Sequence, residues 1–165
     1  MSLTEILAAR DARFRHQREL IAAHPELSLV VLTIVMPGQE KRNGWTLKAA
    51  DAAVKALKDK FADTIEYFET KDLETGYEAF LLTTLPRRDA KMAACSIEDS
   101  HPLGRIYDID VLTEKCVPLS RTELGLPSRR CLLCDDDARV CMRLQRHSYD
   151  ELISTIKQMI DNYDE

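Results

Sequence analysis

The chain has 165 residues, of which 45% are hydrophobic and 31% charged, and it carries a net charge of −5. That length supports one domain with a real core and would cramp two, and ordinary apolar and charged fractions exclude wholesale disorder. The acidic balance argues against nucleic acid as a partner, and no apolar run approaches the ~20 residues that span a bilayer, so no membrane partner is expected either.

Met1-Ser2-Leu3-Thr4-Glu5 lacks a basic patch followed by an apolar stretch, so no secretory signal is read. The five cysteines then belong in a reducing compartment where structural disulfides are uncommon. The expected location is the cytoplasm. The first element is a helix, opened by a Ser2–Glu5 capping box. Leu3, Leu7, Phe14 and Ile21 recur along one face, and His24-Pro25 ends it. Leu27 to Met36 is rich in valine, isoleucine and leucine and predicts a strand buried on both faces, closed by Pro37-Gly38. A second helix follows over Trp45 to Ala62, with Leu47, Ala50, Val54, Leu57 and Phe61 as its apolar stripe. Strands are predicted at Thr64 to Glu69 and Tyr77 to Leu85, then a short helix at Asp89 to Glu98.

From Ser100 to His147 the texture changes to short apolar runs among Gly, Pro, Arg, Asp and Cys. Arg105 to Leu112 contains a predicted strand, Val117 to Ser120 a shorter one, and Asp136 to Gln145 a helix. A last helix, Tyr149 to Tyr163, sets Leu152, Ile156, Met159 and Tyr163 on one face. This order predicts an α+β single domain over residues 1–165, with a mixed β-sheet of about five strands covered by helices. The cysteine-containing segment 126–165 is expected to pack on it.

The most informative stretch is His101-Pro102-Leu103-Gly104-Arg105-Ile106-Tyr107-Asp108-Ile109-Asp110-Val111. On a strand, alternate side chains share a face, so Asp108 and Asp110 point one way while Tyr107, Ile109 and Val111 enter the core. Two adjacent carboxylates repel, and burying them unpaired is costly. A magnesium ion resolves both problems, because it takes hard oxygen ligands and commonly one or two carboxylates with substrate phosphates. The plain alternative is a pair of exposed aspartates at a strand end. Arg105, Arg121, Arg129 and Arg130 lie close in sequence, and guanidinium groups suit phosphate; equally, each could simply pair with a surface aspartate. Gly104 is either a close-approach position for substrate or a turn. His101 is either a phosphate or proton-transfer group or a structural histidine. Glu66, Glu69 and Glu78 are candidates for a third metal carboxylate.

Cys131, Cys134, Cys141 and His147 offer four soft ligands in a short span, which resembles a tetrahedral zinc site. The spacing fits no standard zinc module, and the preferred reading is that the cysteines are small apolar residues under the final helix. No glycine-rich phosphate loop, dinucleotide fingerprint or Gly-x-Ser-x-Gly elbow is present. The residues alone therefore point to a metal-dependent enzyme acting on a phosphorylated substrate.

The block from His101 to Val111, followed by Ser120-Arg121, Leu126-Pro127-x-Arg129-Arg130-Cys131-Leu132-Leu133-Cys134, Ala138-x-x-Cys141 and His147, closely resembles one family. Leu7-x-x-Arg10-Asp11-x-Arg13 and Met36-Pro37-Gly38 extend the similarity over essentially the whole chain. The family is the apo-citrate lyase phosphoribosyl-dephospho-CoA transferases. The resemblance implies a nucleotidyltransferase-like fold and transfer of a phosphoribosyl-dephospho-CoA group from its triphosphoribosyl precursor to a serine of the citrate lyase acyl carrier subunit, with release of diphosphate. It implies magnesium on Asp108 and Asp110, phosphate contacts from Arg105, Arg121, Arg129 and Arg130, and lesser roles for His101 and Gly104. Arg10, Arg13, Arg15 and Arg18 are a candidate surface for the acidic carrier. Competing expectations are a metal-dependent phosphohydrolase of a nucleotide-like substrate and a zinc-stabilised interaction module.

Overall fold

The computed structural model describes residues 1–164. In chain order they form α1 (Leu3–Ala23), β1 (Ser28–Ile34), α2 (Gly44–Phe61), β2 (Ile65–Leu73), β3 (Gly76–Thr83), α3 (Arg87–Ser100), β4 (Tyr107–Leu112), α4 (Ala138–Leu144) and α5 (Tyr149–Asp161). Among the described residues the sheet has four strands in the order β2-β3-β1-β4. Every neighbouring pair is antiparallel, so the α+β class holds while the mixed five-stranded sheet does not. Two local features account for the difference. The β2–β3 hairpin turns back so that β3 lies between β1 and β2, and strands that run the same way, β1 with β2 and β3 with β4, are never neighbours. Val117 to Ser120 makes only an isolated bridge, Leu112 to Pro118, flanked by the Leu119 N–H donating to the Val111 carbonyl and the Thr113 N–H to the Val117 carbonyl, and it does not continue as a strand.

One face of the sheet presents Val30, Leu32, Leu81, Ile109 and Val111 to the helices and forms the main core with Ala49, Ala53, Leu57 and Phe61 of α2, Ala90, Ala94 and Ile97 of α3, and Ile156 and Ile160 of α5. Small residues dominate the buried side of α2, so that helix lies close to the strands. The opposite face is apolar at one end, where Leu29, Val31, Phe80, Leu82 and Leu112 meet Leu20 of α1. At its other end it is polar. Thr33 of β1 pairs with Glu78 on one side and Asp108 on the other, so the three side chains form one row.

That polar row explains a departure in α1. Of the predicted stripe, Leu3, Leu7 and Phe14 are exposed, while Ile21 is half-buried against the apolar end of this face, beside Leu20, the buried residue of the helix. A helix covering a face that carries glutamate and threonine meets it with polar side chains. Arg13 Nη1 approaches Glu78 Oε2 at 3.9 Å, and His16 Nε2 lies 2.7 Å from Glu69 Oε2. No helix among the described residues is long and apolar enough to cross a membrane.

Candidate functional site

β4 alternates as its sequence requires. Tyr107, Ile109 and Val111 are buried in the main core, while Asp108 and Asp110 share the other face. Neither carboxylate has a hydrogen bond or an ion pair among the described residues. Burial, and then the charge of Glu98, raises the Asp108 carboxyl above the ordinary range. Burial first and the neighbouring Asp108 second push Asp110 up to about 6. Asp108 is exposed at the rim of the strand and Asp110 half-buried, and two such carboxylates without a cationic partner, side by side on one face, could hold a cation.

β4 is also an edge strand, and its outer backbone groups are taken up by side chains and a loop rather than by another strand. The Ile109 N–H donates to Glu98 Oε2 at 3.0 Å. The Tyr107 carbonyl accepts from Arg129 Nη1 at 2.8 Å, and the Val111 carbonyl accepts from the Leu119 N–H at 2.9 Å. Glu98 is the hub. Only 3% exposed, it also accepts from Arg121 Nη2 at 2.8 Å and lies 3.4 Å from Arg129 Nη1.

Around this edge runs a cleft of about 1130 Å³, lined by Asp108, Asp110, Lys91, Arg105, Arg121, Arg129 and Arg130 among others. The volume is that of a site for a sizeable ligand. The structure thus brings the predicted aspartates and all four predicted arginines to one cavity. The arginines are not idle there. Arg121 bridges Glu98 and Asp99, and Arg129 also donates to the carbonyls of Gly104 and Arg105. Arg105 donates to the carbonyls of Arg130 and Cys131, and Arg130 to that of Asp135. A guanidinium has five N–H donors, so Arg105 and Arg130 keep several for a ligand, while the positive charge of Arg121, whose side chain is 9% exposed, is already matched by two carboxylates.

His101 and Gly104 do not line the cleft. The His101 ring packs against Tyr107 and Tyr163, and its Nδ1 accepts the Leu103 N–H at 3.0 Å; burial lowers its pKa. Gly104 is buried where the end of α3 passes. A Cβ there would sit 2.6 Å from the Ile97 carbonyl oxygen and closer still to that of Glu98. Backbone cannot yield as a side chain can, so Gly104→Ala is expected to cost roughly 2–3 kcal/mol, read as a lowered urea midpoint with an unchanged slope.

Of the three glutamates considered as further ligands, Glu78 is the one in line with Asp108, two strands away on the same face. It is buried, its Oε2 has no hydrogen-bond partner among the described residues, and burial raises its pKa. Glu69 is held by His16 and Tyr67, and Glu66 is exposed.

Sequence reasoning missed two residues. Lys91, 5% exposed, lines the cleft with the aspartates and has no ion-pair partner within 4.0 Å among the described residues. Its charge pulls down the pKa of both Asp108 and Asp110. Glu98 was the other. Their spacing on α3, seven residues apart with buried Cys95 between, is the one signal that both face inward.

An α+β domain whose large cleft holds two unpaired carboxylates, a buried lysine and several arginines is organised as an enzyme. A family model described as "Apo-citrate lyase phosphoribosyl-dephospho-CoA transferase" matches residues 1–163, and the chain belongs to that family. A protein of Streptococcus pyogenes serotype M18 named "Probable apo-citrate lyase phosphoribosyl-dephospho-CoA transferase" is 36% identical over 99% of this chain and 87% of its own length. Proteins of Escherichia coli O1:K1 / APEC and of Shigella flexneri serotype 5b, both named "Apo-citrate lyase phosphoribosyl-dephospho-CoA transferase", are each 36% identical over 99% of this chain and 91% of their own length.

Proposed function

We propose that the chain transfers a phosphoribosyl-dephospho-CoA group from its triphosphoribosyl precursor to a serine hydroxyl of the citrate lyase acyl carrier subunit, with the β4 cleft as its active site. The serine oxygen forms a bond to the phosphorus nearest the ribose, the bond from that phosphorus to the bridging oxygen breaks, and diphosphate leaves as the serine proton is lost. The observation that carries the assignment is the unpaired Asp108–Asp110 pair inside an arginine-lined cleft.

Magnesium fits this pair. Hard oxygen donors without a cationic partner are what the ion prefers, and it supplies charge neutralisation for a departing diphosphate when bound. Asp108 and Asp110 would hold it, with Glu78 in line to assist. Lys91, Arg105 and Arg130 hold the polyphosphate by charge and by their unspent N–H donors. Arg121 and Arg129 act one step back, fixing Glu98 and the walls of the cleft. The dephospho-CoA portion lies toward Leu132, Leu152 and Ile156, which supply the apolar side of the cavity.

The reaction is tested by incubating the protein with the triphosphoribosyl donor, with and without carrier. Diphosphate release that requires the carrier, together with a matching mass increase on the carrier, supports transfer. Release that ignores the carrier establishes a hydrolase instead.

The carrier is placed on α1. Leu3, Leu7, Arg10, Phe14 and Arg18 recur at helical spacing along one side, the apolar three are exposed, and the Arg18 guanidinium lies over the Phe14 ring. An exposed stripe of alternating apolar and basic residues suits an acidic, amphipathic partner. Arg10→Glu with Arg18→Glu is expected to raise KM for the carrier about tenfold or more, through a weaker encounter, and to leave KM for the donor unchanged. Equal effects on both substrates would move the docking surface elsewhere.

A further inference from the structure

Apart from the acidic pair, four side chains converge whose chemistry the transfer reaction does not use. Cys131 and Cys134 lie in a turn closed by the bridge between Arg130 and Asp137 and by the Cys131 N–H donating to the Asp136 carbonyl at 2.7 Å. Cys141 lies in α4. The helix ends at Gln145, whose left-handed backbone (φ +47°) reverses the chain and returns His147 to the cysteines. One ligand atom from each of Cys131, Cys134, Cys141 and His147 falls within 4.8 Å of the others.

Three details separate this cluster from a packing of apolar thiols. Nε2 of His147 is buried without a hydrogen-bond partner among the described residues, which is costly for a polar ring atom. The Leu133 N–H points at Cys131 Sγ, 3.4 Å away, and Arg146 Nη1 lies 3.7 Å from Cys141 Sγ. Such donors match sulfurs that carry negative charge better than neutral thiols. The Sγ atoms of Cys134 and Cys141 are 3.3 Å apart, so a disulfide could join those two, but it would leave Cys131 and His147 unexplained.

We infer that Cys131, Cys134, Cys141 and His147 hold one zinc ion in a closed tetrahedral site. Three thiolates and an imidazole are the donor set that selects zinc among common divalent ions. Zinc–sulfur bonds of about 2.3 Å place tetrahedral sulfurs roughly 3.8 Å apart, so the observed spread closes with adjustments of under about 1 Å. Protein fills all four positions, which leaves none for water or substrate, and the ion's role is structural. It ties the turn, α4 and the start of α5 into one unit. Arg129 and Arg130 precede the first ligand directly, and Arg105 donates to the Cys131 carbonyl. The ion therefore fixes the wall of the cleft that bears the arginines.

The test begins with unmodified protein, purified under reductant without added metal and analysed for metal content. About one zinc per chain is expected. Replacing zinc with cobalt(II) is expected to give the visible bands of a tetrahedral ion and a thiolate-to-cobalt charge-transfer band. Cys134→Ser and His147→Ala are each expected to weaken zinc binding at least tenfold in a chelator competition. The proposal is overturned by less than about a tenth of a zinc per chain after refolding with the ion, by full affinity in both variants, or by a Cys134–Cys141 disulfide in protein isolated under reductant. The metal and cobalt measurements on the unmodified chain decide the matter even if a variant does not fold, and they are independent of which group the enzyme transfers.

Discussion

Asp110→Asn is expected to lower the rate of carrier labelling on the order of 10³-fold while making the protein more heat-stable. The first effect follows from removing one of two charges that face the cation; a loss of several kcal/mol in transition-state stabilisation translates to that factor. The second follows from the cost of burying the carboxylate. In the unfolded chain Asp110 titrates near its ordinary 3.8, whereas in the folded protein burial and the charge of Asp108 move it to about 6. Between those values the folded protein holds a proton that the unfolded chain has released, so stability falls as pH rises through the window and the full penalty remains above it. Asparagine has no charge to desolvate. Without divalent cations its melting temperature should exceed that of the wild type by roughly 5 °C near neutral pH and match it near about pH 4. Added magnesium should raise the melting temperature of the wild type far more than that of the variant. A variant that keeps more than a tenth of the labelling rate, or melts below the wild type at neutral pH, contradicts the site.

Glu98→Ala is expected to give the largest loss of stability of any single change around the cleft. It removes the acceptor for the Ile109 N–H at the sheet edge and the main partner of Arg121, whose side chain is only 9% exposed. It also takes away the carboxylate beside Arg129. Breaking one side of a buried ion pair costs about 3–5 kcal/mol, because the charge left behind is uncompensated. In a chain of this size that corresponds to a fall of roughly 10 °C in melting temperature. Glu98→Gln keeps an oxygen for Ile109 and should lose less. A thermal melt within about 2 °C of the wild type for the alanine variant would show that the hub is better solvated than its burial indicates.

The contrast between these residues shows what the sequence could convey. Asp108 and Asp110 were legible because a two-residue period on a strand is strict: if Tyr107, Ile109 and Val111 go inward, the acids must go outward. The second helix and the final helix were legible from periodicity in the same way, whereas β2 runs on to Leu73, past the predicted end of the strand at Glu69. Lys91 and Glu98 were not, because charged residues on a helix read as solvent-facing unless their surroundings are known: Lys91 faces a cleft that the fold creates, and the partners of Glu98 lie on β4 and at Arg121 and Arg129. The orientation of α1 misled for a related reason. Its apolar stripe is real, but the part of the sheet beneath it carries Glu78 and Thr33, so the polar side turns inward and Leu3, Leu7 and Phe14 turn out. The cysteines show a third kind of limit. Their spacing matches no standard module because the geometry depends on a bridge between Arg130 and Asp137 and a left-handed residue at Gln145, neither of which a ligand count can reveal. The antiparallel order of the sheet was likewise hidden, since strand direction depends on where a hairpin inserts and not on its composition.

The way β4 is sealed on its outer side also bears on how the molecule is made. The groups that satisfy that edge come from Glu98, Leu119 and Arg129, and two of the three are synthesised after the strand. A nascent chain that has emerged only as far as the strand has an unpaired backbone row and a glutamate without its arginines. Such an edge is a template on which a neighbouring chain can add a strand. Emergence of the arginine-bearing segment therefore does more than finish the cleft: it withdraws this edge of the sheet from contact with other copies.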